Sequence, residues 1–386
     1  MFDKFFMDYM SNIIPVAFNL QSENEIKKMG NGEPNFTVIL KKPISKSDLV
    51  TSTSLALGEA YMRGDIEVDK DLYEVLNLFL GEMGKFITNK SKLHSLLYTA
   101  TSKGNQKKEV TSHYDIGNNF YSLWLDETMS YSCAYFKDKN NTLYEAQMNK
   151  INHILDKLYL DKEMSLLDIG CGWGSLLIEA AKKYQVKGTG ITLSKEQYEK
   201  FSERIKEEKL EDLLEVKIMD YRDLSSSDLS FDRVVSVGMI EHVGRDNYDL
   251  FMKNVYHVLK EKGIFLLHSI TALKEYPGDA WIKKYIFPGG TIPSLRELMQ
   301  ILPEYQFYTL DVESLRRHYN RTLLCWRSRF LEHKEEIIKM MGDEFTRMWE
   351  LYLASCAATF NNGIIDLHQI LVSKGIANDL PMIRAV

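Results

Sequence analysis

Three groups of residues in this chain have types and spacings suited to chemistry. The first is the run L-L-D-I-G-C-G-W-G at 166–174, where Asp168 precedes the alternating Gly170, Gly172 and Gly174. Apolar, strand-forming residues enter the turn and a helical run leaves it, so the pattern predicts a buried strand bending sharply into a helix over a bound nucleoside. Glycines let the backbone approach a ligand that a Cβ would exclude, and the helix N-terminus points at it. A dinucleotide site prefers G-x-G-x-x-G with an acid about 20 residues on, whereas here the third glycine comes one residue early. Asp168 stands at the strand end, ready to pair with an ammonium group or to order water. The next strand end reads Gly190-Ile191-Thr192-Leu193-Ser194 and lacks a carboxylate for ribose hydroxyls, which leaves that contact to Thr192 and Gln197 beside Leu193. A third strand ends in Asp220-Tyr221-Arg222, where a carboxylate suits an adenine amino group. Polar residues at three strand ends together favour a nucleoside site over glycines that serve packing alone.

The second group is M-I-E-H-V-G at 239–244 with L-H-S-I at 267–270. Ligands of open α/β sheets sit beyond the carboxyl ends of the strands, so Glu241 and His268 are expected to face one crevice. A lone histidine in an apolar strand is more often a core residue than a catalyst, and the neighbouring Glu241 tips the balance towards function. The third is Cys356 in L-A-S-C-A-A-T-F, whose helical, apolar neighbours favour a buried structural thiol because none of them would lower its pKa.

The elements that must position these residues follow a regular alternation. A helix over 142–158 leads into the glycine turn; helix 175–184, strand 186–192, helix 195–208, strands 214–219 and 231–237, helix 246–259 and strand 263–270 then predict an α/β chain with a parallel, doubly wound, Rossmann-like sheet. Residues 271–293 form an insertion rich in Pro, Gly, Trp and Tyr, and two long helices (314–341 and 343–360) precede a strand pair near 364–372. Residues 1–88 predict a small mixed domain with a strand at 36–40, helices at 47–61 and 71–80, and a turn at Gly64-Asp65. Between 89 and 108 lie Lys90, Lys92, Lys103, Lys107 and Lys108 and no acid, a stretch that reads either as a solvated linker or as a segment drawn to anionic lipid headgroups. The expected division is therefore 1–105, an N-terminal portion with a basic linker, and 106–386, the portion carrying the sites.

A length of 386 residues suits two domains, and 45% apolar with 26% charged residues describes a globular protein. The net charge of -6 argues against nucleic acid as partner. Four cysteines without a C-x-x-C pair suggest neither a metal site nor a disulfide framework. The N-terminus lacks the basic start and long apolar core of a secretion signal, and no apolar run approaches the ~20 residues that cross a bilayer. A cytoplasmic home follows as the expectation, with any lipid approached peripherally, from the water side.

Y-S-C-A-Y-F, L-L-D-I-G-C-G-W-G, D-Y-R-D, S-V-G-M-I-E-H-V-G, F-L-L-H-S-I, Y-I-F-P-G-G and H-Y-N-R-T-L together resemble the cyclopropane-fatty-acyl-phospholipid synthases, relatives of the mycolic acid methyltransferases. The resemblance runs from about residue 109 to the end. The first hundred residues are similar to the extra N-terminal domain of the synthases that act on membrane phospholipid. It implies a class I S-adenosylmethionine (SAM)-dependent methyltransferase sheet with a smaller N-terminal lipid-associated domain, SAM as donor, and as acceptor a cis double bond of a phospholipid acyl chain in the cytoplasmic leaflet. The family's donor contacts fall on Tyr131, Ser132, the 166–174 turn, Thr192 to Gln197, and Tyr221 with Arg222. Its bicarbonate ion maps onto Cys133, Glu241, His268, Ile270 and Tyr319, all matching in type, and a cysteine suspected as catalytic aligns with Cys356. A homodimer through the N-terminal domain is implied as well.

The chemistry so implied makes physical sense. An alkene is a weak nucleophile, so an enzyme gains by holding it in line with the sulfonium methyl in a dry pocket. Methyl transfer leaves a cation, which aromatic faces stabilise by roughly 0.5–2 kcal/mol each; Tyr135, Phe136, Trp281 and Tyr319 are the candidates. A base must then take a methyl proton before the ring closes, and a bicarbonate held by Glu241, His268, Tyr319 and the amides of Cys133 and Ile270 suits that task. A methyl-branched or hydroxylated product is the alternative within donor chemistry. A non-catalytic lipid carrier on a degenerate fold is the alternative outside it, and intact Glu241, His268, Tyr319 and Cys133 speak against it.

Overall fold

The computed structural model describes residues 7–8, 16–23, 25–84 and 117–382. The basic stretch at 89–108 lies outside them. In chain order the first elements are β1 (Phe18–Ser22), β2 (Glu25–Met29), β3 (Thr37–Leu40), α1 (Lys46–Thr51), α2 (Thr53–Met62), β4 (Ile66–Val68), α3 (Leu72–Gly84), α4 (Asn118–Trp124), α5 (Leu143–Lys157), β5 (Ser165–Ile169), α6 (Ser175–Tyr184), β6 (Lys187–Thr192), α7 (Lys195–Glu207) and β7 (Leu214–Ile218). There follow β8 (Phe231–Val237), α8 (Tyr248–Val258), β9 (Leu259–Ala272), α9 (Ala280–Tyr285), α10 (Leu295–Ile301), β10 (Phe307–Ser314), α11 (Arg316–Glu332), α12 (Lys334–Met341), α13 (Asp343–Asn361) and β11 (Ile365–Lys374).

Two compact units are made from these elements. One gathers Met1–Gly104 with Pro277–Pro288 and Leu323–Ile365; the other gathers Asn105–Tyr276, Gly289–Thr322 and Asp366–Val386. In the first unit a four-stranded sheet of order β2-β1-β3-β4 covers a core of Phe18, Leu20, Phe36, Val38, Leu49 and Ala60. The helix expected over 47–61 is two helices, because Ser52 turns extended (φ -159°) and its side chain accepts the Leu55 N–H to cap α2. α13 packs on α2 and α3. Arg347 on α13 donates to the carbonyls of Tyr61 and Ile66, at 2.6 and 3.2 Å.

The second unit holds a seven-stranded sheet of order β10-β11-β9-β8-β5-β6-β7. β5 to β9 run parallel as expected, whereas the strand pair expected near 364–372 is the single strand β11, whose antiparallel partner is β10. β10 begins at Phe307, inside a stretch assigned no strand from sequence, and its half-exposed residues show why: F-Y-T-L-D-V-E-S has no clean apolar face. The single helix expected at 314–341 is α11 and α12, parted at His333.

Successive strand residues serve opposite faces. Leu166, Val235, Ile264 and Leu266 join one core with α5, α6 and α7, while Leu167, Val234, Phe265 and Leu267 join the other with α8 and α10. From β5 the chain winds outward through β6 and β7, then returns to lay β8 and β9 on the other side. Strand order thus reverses between β5 and β8, which opens a crevice at their carboxyl ends. Among the described residues no helix is long and apolar enough to cross a membrane, no cluster of three His, Cys, Asp or Glu could hold a metal, and none of the four cysteines forms a disulfide.

Candidate active site

A cavity of about 200 Å³ lies at that crevice. The glycine turn, the β6 and β7 ends, the β8 end and the segment Thr128–Ser132 line it. Tyr131, Ser132, Asp168, Gly170, Gly172, Gly174, Thr192, Leu193, Gln197, Asp220, Tyr221 and Arg222 all lie on its wall. The glycines divide the work. A Cβ on Gly172 would meet nothing within 4 Å, so that position leaves room on the cavity side; a Cβ on Gly174, at φ +84°, would sit 2.1 Å from the Phe201 ring, so that one serves the packing of α6 on α7.

Local hydrogen bonds fix the wall. Thr192 Oγ1 donates to Gln197 Oε1 at 2.8 Å and accepts the Ser194 N–H at 3.1 Å, while Ser194 caps α7 through the Gln197 N–H. The Thr192 hydroxyl is thereby committed to holding Gln197, whose amide NH₂ remains as the donor group. Asp220 accepts from Arg222 N at 2.9 Å and from its guanidinium at 3.0 and 2.5 Å. Tyr131 stands in an aromatic cluster with Tyr121 (5.6 Å) and Trp124 (5.4 Å) from α4, and Trp173 joins it through Tyr121.

Lys150 also lines the cavity, outside every motif named from sequence. Lys150 had a signal, since it interrupts the apolar face of α5 between Ala146 and Ile154. Lys150 is 3% exposed, its Nζ donates to Ser132 Oγ at 3.1 Å, and burial lowers its pKa to about 8 despite Asp126 and Asp168. Asp168 is equally buried, its Oδ1 has no hydrogen-bond partner, and burial raises its pKa to about 7.

The second group gathers beside the β8 end. Val237 pairs with His268, and Gly238 donates its N–H to the His268 carbonyl at 2.8 Å. Glu241 is 8% exposed, and its Oε1 accepts the Ile270 N–H at 2.6 Å while Oε2 has no partner. The Ile270 amide, expected to face an anion, donates to the Glu241 carboxylate instead, a correction to that expectation. Burial raises the Glu241 pKa to about 7 against that bond. His268 is 1% exposed and burial lowers its pKa to about 3, so the ring is neutral. Gln369 on β11, absent from the sequence reading, approaches His268 Nδ1 through its Nε2 at 3.2 Å. Where that amide NH₂ donates, Nδ1 accepts and the ring proton sits on Nε2; His268 Nε2 and Gln369 Oε1 are both buried without a hydrogen-bond partner.

Cys133 and Tyr319 meet at one carbonyl: Leu315 O accepts the Tyr319 N–H at 3.1 Å, and Cys133 Sγ lies 3.9 Å from it. The Cys133 thiol is fully buried, and burial pushes its pKa up. The aromatic candidates separate. Tyr135 is sandwiched between His153 (4.3 Å) and His318 (4.6 Å), and Arg321 covers Phe136 at 4.1 Å. Trp281 belongs to the first unit, where it is 3% exposed, lies on Gly58 and donates its indole N–H to Met62 Sδ at 3.2 Å. It is a core residue there, which corrects its reading as part of an aromatic wall. Cys356 also belongs to the first unit, on α13, and burial with Asp279 nearby pushes its pKa up to about 12.

Residues 101–370 match the family described as mycolic acid cyclopropane synthetase, and residues 1–91 match a domain of unknown function. The cyclopropane-fatty-acyl-phospholipid synthase of Escherichia coli K12 is 38% identical over 366 residues, 92% of each chain. A probable fatty acid methyltransferase of Pseudomonas putida is 38% identical over 361 residues, 91% of each chain. The crystal structure of mycolic acid cyclopropane synthase CmaA1 complexed with SAH and CTAB superimposes with a TM-score of 0.65 at 33% identity, over 70% of this chain and 99% of that one.

Proposed function

The chain belongs to the mycolic acid cyclopropane synthetase family and is a SAM-dependent methyltransferase; from that premise we propose that it adds the SAM methyl carbon to the cis double bond of an unsaturated phospholipid acyl chain, where the carbon becomes the methylene of a cyclopropane ring. The donor nucleoside is assigned to the cavity, with its adenine towards Asp220, Tyr221 and Arg222 and its amino-acid end towards Asp168, Tyr131 and Ser132.

One observation carries the reading beyond a generic methyl donor site: two buried polar atoms beside the cavity, Glu241 Oε2 and His268 Nε2, have no partner. With its pKa near 7, Glu241 is readily protonated, and because Oε1 accepts from Ile270 the proton belongs on Oε2. His268 carries its proton on Nε2 when Gln369 donates to Nδ1. Two buried donors without an acceptor fit a small anion, and bicarbonate is the anion proposed, with the Tyr319 hydroxyl and the Cys133 amide as further donors. When bound, bicarbonate supplies a general base for the methyl proton lost before ring closure. Glu241 and His268 hold that anion, and their buried surroundings exclude the water that would intercept a cation.

The N-terminal residues 1–105 are proposed to meet the cytoplasmic leaflet of the membrane, with the lysines of 89–108 drawn to anionic headgroups at roughly 1 kcal/mol each. A homodimer through the same portion belongs to the proposal. The test is incubation with SAM and vesicles of cis-unsaturated phospholipid, with and without bicarbonate. Acyl chains that gain one methylene and lose a double bond, more slowly in bicarbonate-free buffer, are expected. Chains that keep their mass and double bonds overturn the proposal.

A further inference from the structure

Lys150 takes no part in holding the adenine or the proposed anion. The face of α5 on which it stands also carries Ala146, Ile151 and Ile154, all fully buried. A buried ammonium costs free energy unless a partner answers its charge. Its hydrogen bond goes to the neutral Ser132 hydroxyl, and among the described residues it forms no ion pair. Asp168, on the same cavity wall, is in the complementary position, buried with Oδ1 unsatisfied. The other charged pair on that wall, Asp220 with Arg222, is closed on itself. It stands two strands from Asp168, since β6 separates β5 from β7, a distance of about 10 Å. The cavity therefore presents one buried cation and one buried anion, each lacking an opposite charge in contact, on the side away from the adenine position.

We propose that Lys150 binds the carboxylate of the donor's amino-acid tail while Asp168 takes its ammonium, so that this side of the cavity recognises the tail as a zwitterion. The inference rests on SAM being the donor. A tail with both charges satisfies both residues at once. A nucleoside without the tail leaves both as they stand, and a tail with one charge leaves the other residue buried and unpaired. Ser132 keeps the lysine aimed: its hydroxyl accepts from Nζ, and its carbonyl is held by Gln147 Nε2 at 2.9 Å.

Calorimetric titration of the full chain with two non-reacting nucleosides tests this. S-adenosylhomocysteine carries the whole tail; methylthioadenosine keeps the nucleoside and the thioether but lacks it. Lys150→Met is expected to weaken S-adenosylhomocysteine about 10- to 100-fold, the range for a charge-assisted bond, and to leave methylthioadenosine within about threefold. Lys150→Gln retains a donor for Ser132 without the charge and should show the same contrast if the methionine variant does not fold. Equal losses for both nucleosides, or no loss for either, overturn the role of Lys150. A wild-type chain that binds neither overturns the SAM reading itself.

Discussion

Glu241 is where single-residue chemistry is most exposed to test. Its folded pKa near 7 lies above its ordinary 4.5 because burial penalises the charge. Such a group adds stability that is fully present below about 4.5 and lost as pH rises through about 7, because the folded state binds the extra proton. Glu241→Gln keeps an acceptor for the Ile270 amide and removes the titration. Relative to wild type, the variant should therefore gain stability between pH 5 and pH 8, by at most roughly 3 kcal/mol; a difference in melting that does not change with pH contradicts this. Turnover should fall about 10²- to 10⁴-fold, the span for groups that serve proton transfer, with the donor dissociation constant nearly unchanged. Equal loss of turnover and donor binding would place Glu241 in the donor site. Glu241 and His268 were legible as polar interruptions of apolar stretches. Gln369 was not, since it reaches His268 from a strand 101 residues away.

At the scale of the element, the glycine turn predicts two unlike outcomes from one substitution. Alanine at 174 must adopt φ +84° and push its Cβ into Phe201, which should destabilise by about 2–5 kcal/mol from strain and overpacking together. Alanine at 172, at φ +54° and with nothing within 4 Å, should cost about 1–2 kcal/mol and chiefly reduce donor affinity. Urea unfolding with donor titration separates the two, and the reverse ranking contradicts the division of labour. That strand, turn and helix were legible because β5 is a short apolar run ending in Asp168 and glycines. β10 was hidden because an edge strand covered on few sides keeps no alternation. The break at Ser52 was hidden because a capping serine between two apolar runs also reads as the interior of one helix.

Across the whole molecule, linear reading divides the chain at one point, whereas the compact units interleave. Pro277–Pro288 and Leu323–Ile365 group with the first hundred residues, and with them go Trp281 and Cys356, two residues that sequence motifs had linked to chemistry. No local pattern announces this, because α13 reads as an ordinary apolar helix until its partners α2 and α3 are known. A chain beginning at residue 105 should accordingly melt lower than the full chain or be recovered as aggregate. α13 would lose those two helices, Arg347 its two carbonyls, and the 8% exposed Arg327 its bond to Asp71 at 2.8 Å. An unchanged melting temperature contradicts that interdependence. The central claim, that the donated methyl becomes a ring methylene in a phospholipid acyl chain, is tested most directly with SAM carrying a trideuterated methyl group and vesicles of cis-unsaturated phospholipid. Ring closure requires loss of one deuteron, so the account predicts a cyclopropane retaining two and an acyl chain without its double bond; a product retaining all three as a methyl branch, or lipid without label, contradicts it.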